Sequence, residues 1–251
     1  MKKAVERTAR WGRALIVTGS LLGLGLGVAG CSESDRPLEP PVRFDGNIFG
    51  TFYQVTIMDP LTQGESLELE EGFKAELESV DQAMSTYRDD SELIAFNEAP
   101  LDEWQPLSNE LIDVLAISQS VAEASHGAFD ITVGDLVNLW SFGPGARPET
   151  VPSDDALSEE LAQVGIDALE IDTQNMQARR TRDVFVDLSG VAKGHGTDRV
   201  AAYLEQQGLE HYLVNIGGEL IARGLRDEEE QTPWQIGIEV PENGQQRAQH
   251  I

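Results

Sequence analysis

The segment from Asp187 to Gly194 combines an acid, glycines and a lysine in a pattern that could bind a phosphate group. The apolar residues 184–186 predict a strand that ends at Asp187, and a helix is predicted just beyond Lys193-Gly194. Backbone N–H groups at such a junction can hold phosphate, Lys193 can add a positive charge, and Asp187 can orient a hydroxyl group or a metal-bound water. The spacing differs from that of a P-loop, and the same residues would also form an ordinary strand–turn–helix junction.

Two aromatic residues, Tyr87 and Phe129, have the type of ring that stacks on a planar ligand, although a single aromatic residue more often belongs to a hydrophobic core. Ser189 does not lie in the GxSxG motif of serine hydrolases. A zinc site built from histidines is not predicted, because no HxxxH or HExxH spacing occurs among His126, His195, His211 and His250.

The elements that would position these residues alternate irregularly between strands and helices. Strands are predicted over 47–58, 168–172, 176–180, 184–188, 212–216, 219–223 and 234–240. Helices are predicted over 65–84, 91–97, 108–125, 133–140, 154–164 and 197–207, with Ser108 as an N-cap. Neighbouring strands look hairpin-connected, which predicts an α+β fold with mixed, largely antiparallel sheets and flanking helices rather than a doubly wound parallel sheet.

The composition is that of a globular and strongly acidic protein. The 251 residues are 40% hydrophobic and 25% charged, and 44 Asp and Glu against 18 Lys and Arg give a formal net charge of -26. Because such a surface repels phosphate backbones, no nucleic-acid partner is expected. The single cysteine, Cys31, excludes an internal disulfide and any cysteine-rich metal site.

The N-terminal residues have the layout of a secretory signal. A Lys- and Arg-rich start, residues 1–13, precedes an apolar run that ends in Val28-Ala29-Gly30-Cys31 and resembles the lipobox of bacterial lipoproteins. We therefore expect residues 1–30 to be a signal peptide and Cys31 to carry lipid, including palmitate, that anchors the chain to a bacterial membrane and faces it to the periplasm. The alternative is a short transmembrane anchor with an incidental cysteine.

The rest of the chain is predicted to be a tether followed by one domain. Residues 31–43 are rich in proline and charge, which is typical of an extended spacer. Residues 44–251 contain the predicted strands and helices, with no internal repeat and no clear linker.

Six segments of this domain together resemble one family, the ApbE-type FAD:protein FMN transferases. In order, they are FGTFYQVTI, MSTYRDDSELIAFN, GAFDITVGDLVNLWSFG, DLSGVAKGHGTDRVAAYLEQQG, YLVNIGGELIARG and PWQIGIEVP, and they cover about residues 47–241. Several segments in the family's order are more specific than any single short motif. The resemblance implies an ApbE-like fold, related to the T-fold.

The resemblance also implies an enzyme that moves FMN from FAD to a threonine hydroxyl of a target protein and releases AMP. It implies FAD as the substrate, Mg²⁺ as the cofactor, and targets in subunits of the Na⁺-pumping NADH:quinone reductase or a related electron-transport complex. Such a site must position the attacking hydroxyl and stabilise charge on the leaving phosphate. Nothing in the sequence assigns a catalytic base.

Carried onto this sequence, the resemblance implies FAD contacts at Phe49, Tyr87, Ala128, Phe129, Asp130, Asp187 and Lys193. Gly190 matches a position whose backbone carbonyl binds the metal. Phe49 stands where the family commonly has methionine, which keeps an apolar wall but changes its shape. His195 stands where the family often has an aromatic residue, and no catalytic role is expected for it.

The family continues with four segments that this sequence lacks before Ile251: a His-containing strand, a Thr-Ser-Gly segment, an Asp-Pro-x-Thr-Gly turn and an Asp-Ala-x-x-Thr segment. In the family, the last of these supplies most of the metal's side-chain ligands. We therefore expect a chain that is truncated at the C-terminus, with much of the flavin pocket but without the metal site that transfer needs. The alternatives are a flavin-binding or FAD-hydrolysing periplasmic lipoprotein without transferase activity, and a purely structural acidic lipoprotein.

Overall fold

A computed structural model describes residues 33–144, 151–240 and 247–250, with side chains up to residue 238. The helices are α1 (Gln63–Met84), α2 (Glu92–Glu98), α3 (Asn109–Ala124), α4 (Gly134–Leu139), α5 (Asp154–Leu161) and α6 (Ala192–Gln206). The strands are β1 (Pro37–Leu38), β2 (Val42–Ile48), β3 (Thr51–Ile57), β4 (Leu61–Thr62), β5 (Gln105–Pro106), β6 (Leu169–Asp172), β7 (Gln177–Arg180), β8 (Tyr212–Ile216), β9 (Glu219–Arg223), β10 (Leu225–Asp227), β11 (Thr232–Pro233), β12 (Gly237–Val240) and β13 (Arg247–His250).

The larger sheet has the strand order β2-β3-β8-β9. Residues alternate between buried and more exposed positions along β8, and helices α1 and α6 pack against the sheet. Phe73 of α1 is fully buried there, and its ring meets the edges of Phe44 and Tyr53 at centroid distances of 5.4 Å and 5.8 Å. These edge-to-face contacts hold α1 in one place over the sheet.

A smaller sheet, in the order β5-β7-β6, belongs to a second hydrophobic cluster. Helices α2 and α3 supply most of the large side chains of this cluster: Leu93, Phe96, Leu111, Ile112 and Leu115. Phe49 packs against both clusters and so lies where the two cores meet. Every strand pair in the described residues is antiparallel, which confirms the predicted α+β class.

The predicted strand over 47–58 is a hairpin rather than a single strand. β2 and β3 pair in register up to Ile48↔Thr51, and Phe49-Gly50 forms the two-residue turn between them. Both turn residues have positive φ, +53° and +71°, which is the geometry that matches the twist of the paired strands. Because phenylalanine is not a usual turn residue, the apolar run concealed the chain reversal.

Helix α6 begins at Ala192, earlier than the predicted start at Thr197. Lys193 and Gly194 therefore lie in its first turn instead of preceding it. Two glycines, Gly194 and Gly196, weaken the local helix propensity, which is why the pattern indicated a later start. The burial of Val200 and Leu204 against the sheet stabilises the helix despite them.

Part of the segment that was predicted to be a free spacer packs onto the domain. Strand β1 pairs with β4, and the Gln63 N–H donates to the Arg36 carbonyl oxygen at 2.8 Å. The Arg36 guanidinium also donates to the Gln63 side-chain oxygen at 3.1 Å. The predicted signal peptide and Cys31 lie outside the described residues, and no described helix is both long and apolar enough to cross a membrane.

Candidate functional site

A cavity of about 600 Å³ lies where three of the predicted segments meet. Its walls come from the β2–β3 turn, from the end of α1 and the loop that follows, and from the start of α6. The lining residues include Ile48, Phe49, Thr51, Met84, Thr86, Tyr87, Ser189 and Lys193. A cavity of this size is in the range of small-molecule sites, and its mixture of apolar walls and a few polar groups is typical of them.

Of the predicted flavin contacts, Phe49, Tyr87 and Lys193 line this cavity. The cavity is not lined by Asp187 or Gly190, nor by the predicted residues of the third segment, Ala128, Phe129 and Asp130. Gly190 follows the lining residue Ser189, and a Cβ placed on it would be 3.7 Å from the Phe129 ring. The structure thus brings the first, second and fourth predicted segments together at the cavity, and the third packs beside the fourth.

Tyr87 lines the cavity, and the residue as a whole is 62% exposed. Its hydroxyl donates to the backbone oxygen of Phe142 at 2.9 Å, and its N–H donates to the Ser85 hydroxyl at 3.2 Å. The residue is therefore held at its hydroxyl and at its backbone, while more than half of its surface stays accessible. An aromatic ring held in this way is suited to stack on a planar ligand.

The first turn of α6 is a second polar feature of the cavity. Among the described residues, no side chain caps its N–H groups, and the N-cap position is Val191. The end of a helix with uncapped N–H groups carries partial positive charge and attracts anionic groups. Ser189, Ala192 and Lys193 line the cavity, so this helix start opens into it.

Lys193 adds a full positive charge at the same place. Its ammonium group is 3.9 Å from a carboxylate oxygen of Glu219, and its side chain is 35% exposed. The turn at Gly217, with φ +57°, lies against it, because a Cβ at Gly217 would be 2.7 Å from Thr51 Cγ2 and 3.2 Å from Lys193 Cδ. A glycine is therefore needed where β8, β3 and α6 converge on the cavity.

Arg88 also lines the cavity, but its charge is compensated by acidic neighbours. The guanidinium bonds Glu78, Asp81 and Asp90 at 2.5 Å, 3.3 Å and 3.2 Å. Asp90 and Glu78 raise the pKa of Arg88, and Arg88 in turn lowers the pKa of Asp90. Lys193, which faces Glu219 at a longer distance, is therefore the better group to bind an anion here.

Asp187 is held in place with one carboxylate oxygen engaged. It is 9% exposed, its N–H donates to the Ile131 carbonyl oxygen at 2.8 Å, and its Oδ1 accepts from the Ser189 N–H at 2.7 Å. Within the described residues, no donor is assigned to its Oδ2. The second oxygen is thus the one that can accept a hydrogen bond from a ligand.

The predicted strand over 184–188 is extended but joins no sheet within the described residues. Two side chains and the backbone of residues 131–134 take the place of a neighbouring strand, since the Gly134 N–H donates to the Phe185 carbonyl oxygen at 3.0 Å and the Asp187 N–H donates to the Ile131 carbonyl oxygen at 2.8 Å. The Asn97 amide donates to the Val186 carbonyl at 2.9 Å and accepts from the Val186 N–H at 2.8 Å, while Asp135 accepts from the Phe185 N–H at 3.1 Å. Asn97 thus positions Asp187 through the backbone of the preceding residue. Its place at the end of α2, among apolar residues, is the only sign of this role in the sequence.

Replacing Asn97 with alanine is expected to lower the free energy of unfolding by about 2–4 kcal/mol, because it leaves a buried N–H and a buried C=O without partners. Urea unfolding of both proteins measures the change. The control is Gln105→Ala, since the Gln105 amide only bonds the nearby Glu103 carbonyl at 3.3 Å, and about 0.5 kcal/mol or less is expected there. Equal losses in the two variants would contradict the role of Asn97.

The residues predicted in the third segment make bonds within the domain and do not line the cavity. Ala128 and Phe129 follow α3, where the Phe129 N–H donates to the Ser125 hydroxyl at 3.1 Å. Asp130 has both oxygens occupied, because Oδ1 accepts from the N–H and hydroxyl of Thr132 and Oδ2 accepts from the Ile166 N–H. In the structure, the Asp130 carboxylate thus connects its own segment to Ile166 through hydrogen bonds, a role that the sequence did not indicate.

A metal site needs several donors in one place. Within residues 33–144, 151–240 and 247–250, no group of three or more His, Cys, Asp or Glu side chains could hold a metal ion. His195 does not line the cavity, and its Nε2 is 3.0 Å from Glu110 Oε1. The described residues near Gly190 therefore offer single oxygen donors rather than a complete coordination shell.

The sequence profile of the ApbE family matches residues 49–251. Two similar curated proteins are both named FAD:protein FMN transferase. The one from Vibrio cholerae is 40% identical over 237 residues, covering 94% of this chain and 68% of that protein. The one from Klebsiella pneumoniae is 34% identical over 238 residues, covering 92% of this chain and 67% of that protein.

A solved structure described as flavin transferase ApbE from Vibrio cholerae superposes with a TM-score of 0.76 at 38% identity, covering 83% of this chain and 67% of that one. The apo form of the flavinyl transferase ApbE from Pseudomonas stutzeri gives a TM-score of 0.72 at 32% identity, covering 80% and 66%. The chain thus spans about two thirds of the length of these relatives and shares their fold.

Proposed function

Because the chain belongs to the ApbE family, we propose that it is an FAD:protein FMN transferase, which moves FMN from FAD to a threonine hydroxyl of a target protein and releases AMP. One observation of the structure supports this more than any other. The cavity joins an accessible aromatic ring, Tyr87, to a helix start that carries Lys193. Those are the two features that a flavin with a phosphate tail requires.

In this proposal the flavin ring lies between apolar walls and the phosphates lie at the start of α6. Phe49 and Tyr87 supply the stacking surfaces, and Phe49 replaces the methionine that the family commonly has there. The Ala192 N–H already donates to the Leu188 carbonyl oxygen at 2.8 Å, so the N–H groups of Lys193 and Gly194, together with the Lys193 ammonium group, face the phosphates. Asp187 accepts a hydrogen bond from a hydroxyl of the substrate with its second oxygen, since the first is bonded to Ser189.

The chemistry is an in-line displacement at phosphorus. The target's threonine oxygen forms a bond to the phosphorus of the FMN moiety, the bond from that phosphorus to the bridging oxygen breaks, and AMP leaves with the electron pair. Negative charge grows on the leaving phosphate, so Lys193 and the start of α6 stabilise the transition state more than the ground state. The threonine proton must go to a base, which the described residues do not identify.

The proposal includes Mg²⁺ as the cofactor, on the strength of the family resemblance alone. When bound, such an ion supplies Lewis-acid stabilisation to phosphoryl oxygens. The carbonyl of Gly190 is the oxygen that we assign to it. Because the described residues do not by themselves make up a coordination shell, no step above depends on the ion.

The test is an assay of the whole chain with FAD, Mg²⁺ and a threonine-containing acceptor protein. The proposed function predicts that the acceptor's intact mass rises by one FMN, with AMP released in equal amount, and that EDTA stops both. A chain that lacks the metal site, as the sequence leads us to expect, would instead bind FAD without transfer. Release of AMP and free FMN without a mass shift would mean hydrolysis. Tight FAD binding with neither product would mean flavin binding only, and either result would overturn the proposal.

We also propose that the enzyme acts from a lipid anchor at Cys31, on the periplasmic side of a bacterial membrane. Support comes from the signal-like residues 1–30 and the lipobox-like Val28-Ala29-Gly30-Cys31. Targets in the Na⁺-pumping NADH:quinone reductase or a related complex would then be within reach. Labelled palmitate should enter the wild-type chain but not Cys31→Ala, and a chain without label in both cases would refute the anchor.

A further inference from the structure

The ring of Phe49 lies directly against the backbone of α6 at Gly196. A Cβ placed on Gly196 would be 2.7 Å from Cε2 and 3.0 Å from Cζ of that ring, and 3.5 Å from Leu77 Cδ2. Carbon atoms that are not bonded to each other do not approach to 2.7 Å in a relaxed structure. The present place of the Phe49 ring therefore requires glycine at position 196.

The backbone of Phe49 has little freedom to move away from this contact. It forms half of the two-residue turn between β2 and β3, at φ +53°, and the register of the hairpin is fixed on both sides by Ile48↔Thr51 and the pairs before it. A residue other than glycine in this region of φ is already confined by sterics. An added atom at position 196 would thus displace the ring rather than the turn.

The ring has one direction in which it can be displaced without overlap. It packs against both hydrophobic clusters, which fill the space on its buried sides, and it lines the cavity on the other. Close-packed cores resist the entry of extra atoms. A methyl group on residue 196 would therefore push the ring into the cavity, where the flavin is proposed to lie.

We infer that Gly196 is a positioning residue of the flavin pocket, which sets the place of the Phe49 ring and hence the width of the slot for the isoalloxazine. This inference rests on the proposed function for the identity of the ligand. Phe49 and Gly196 form a matched pair: the large ring fits because the helix residue beneath it has no side chain. A long, unbranched side chain at position 49 would tolerate alanine at 196, since methionine adapts to irregular spaces.

A double-mutant cycle tests the pairing with the full chain, using Gly196→Ala, Phe49→Met and the combination of both. When Phe49 is kept, Gly196→Ala should raise the Kd for FAD about tenfold, whereas in the Phe49→Met variant the same change should raise it about twofold or less. Binding of AMP, which lacks the flavin ring, should change less than about twofold in all four proteins. Isothermal titration measures both ligands.

Urea unfolding of the same four proteins gives a readout that needs no ligand. Because alanine normally stabilises a helix relative to glycine, a simple propensity effect would raise the unfolding midpoint equally in both backgrounds. If the Phe49 ring and residue 196 are sterically paired, Gly196→Ala lowers the unfolding midpoint only when residue 49 is phenylalanine. If Gly196→Ala alone does not fold, Phe49→Met can be compared with the double variant. That comparison still tests whether methionine at position 49 accommodates alanine at position 196.

Equal effects of Gly196→Ala in the two backgrounds, on Kd and on the midpoint, would overturn the inference and leave the proposed function intact. A coupled effect on FAD binding without any transfer of FMN to an acceptor would support the inference and contradict the proposed function. Loss of AMP binding in parallel with FAD binding would also overturn the inference, because it would show a general disturbance of the site.

Discussion

Replacing Lys193 with methionine is expected to lower the rate of FMN transfer at saturating FAD by about 100-fold, because it removes a positive charge from the phosphates as their negative charge grows. The substitution keeps the length and apolar stem of the side chain. Lys193 lines the cavity in the first turn of α6, and its nearest carboxylate, Glu219, is 3.9 Å away. Single-turnover formation of the flavinylated acceptor measures the rate.

The matched control is Lys74→Met. Lys74 is also a lysine paired with a carboxylate, Glu70, but it lies on the exposed surface of α1 and does not line the cavity. Its replacement should leave the rate within about twofold, as expected for a surface substitution. Lys193→Arg should restore part of the rate, since the charge returns with a different geometry. Equal rates for Lys193→Met and the wild-type chain would remove Lys193 from the mechanism.

Replacing Asp187 with alanine is expected to raise the Kd for FAD by about 10- to 100-fold, since a hydrogen bond to a charged acceptor contributes roughly 1.5–3 kcal/mol. The carboxylate is almost buried, and its Oδ1 already accepts from Ser189, so Oδ2 is the atom that the substrate would use. Titration of FAD fluorescence or heat measures the affinity. An unchanged titration would refute the role.

Two further variants, one at Asp187 and one at Asp183, separate the effect of charge on FAD affinity from the effect of side-chain geometry. Asp187→Asn keeps an oxygen for the Ser189 N–H and should bind FAD more tightly than Asp187→Ala. Asp183→Ala removes an acid from the same segment, but that side chain is 93% exposed, and its loss should leave the affinity unchanged. A loss of affinity in Asp183→Ala as large as that in Asp187→Ala would point to the overall charge instead.

Much of the fold follows from local sequence. The pattern of apolar residues located α1, and Ser108 was correctly predicted as an N-cap, since its hydroxyl accepts from the Leu111 N–H at 3.2 Å. β8 and β9 have the predicted ends at Tyr212, Ile216, Glu219 and Arg223. In these places residue propensity, capping and the burial pattern all favour the same element, so the local sequence is enough to predict that element.

The differences occur where a distant part of the chain decides the local structure. Residues 184–188 look like a strand, but they bond the side chain of Asn97, 89 positions away from Val186, and the backbone of Ile131 and Gly134. The start of α6 contains two glycines that only packing on the sheet makes helical. The turn at Phe49 is set by the register of two strands and by the space over Gly196. None of these causes can be read from the neighbouring residues.

The candidate site shows the same division. The family motifs predicted Phe49, Tyr87 and Lys193 as contacts of one ligand, and all three line the same cavity in the structure. Asp130 belongs to the same motifs, yet the structure shows its carboxylate bonded to Thr132 and Ile166. The cavity lining and the side-chain bonds are thus set by the tertiary structure, which the motif alone does not specify.

The pairing of β1 with β4 affects how far the N-terminal segment lies from the cavity. It fastens the N-terminal segment at Arg36 and Gln63, where α1 begins, and α1 then runs for 22 residues to Met84 at the cavity wall. At about 1.5 Å per residue this helix is about 33 Å long. Helix α1 therefore separates the point at which the N-terminal segment is fastened, Gln63, from the cavity wall at Met84 by about 33 Å.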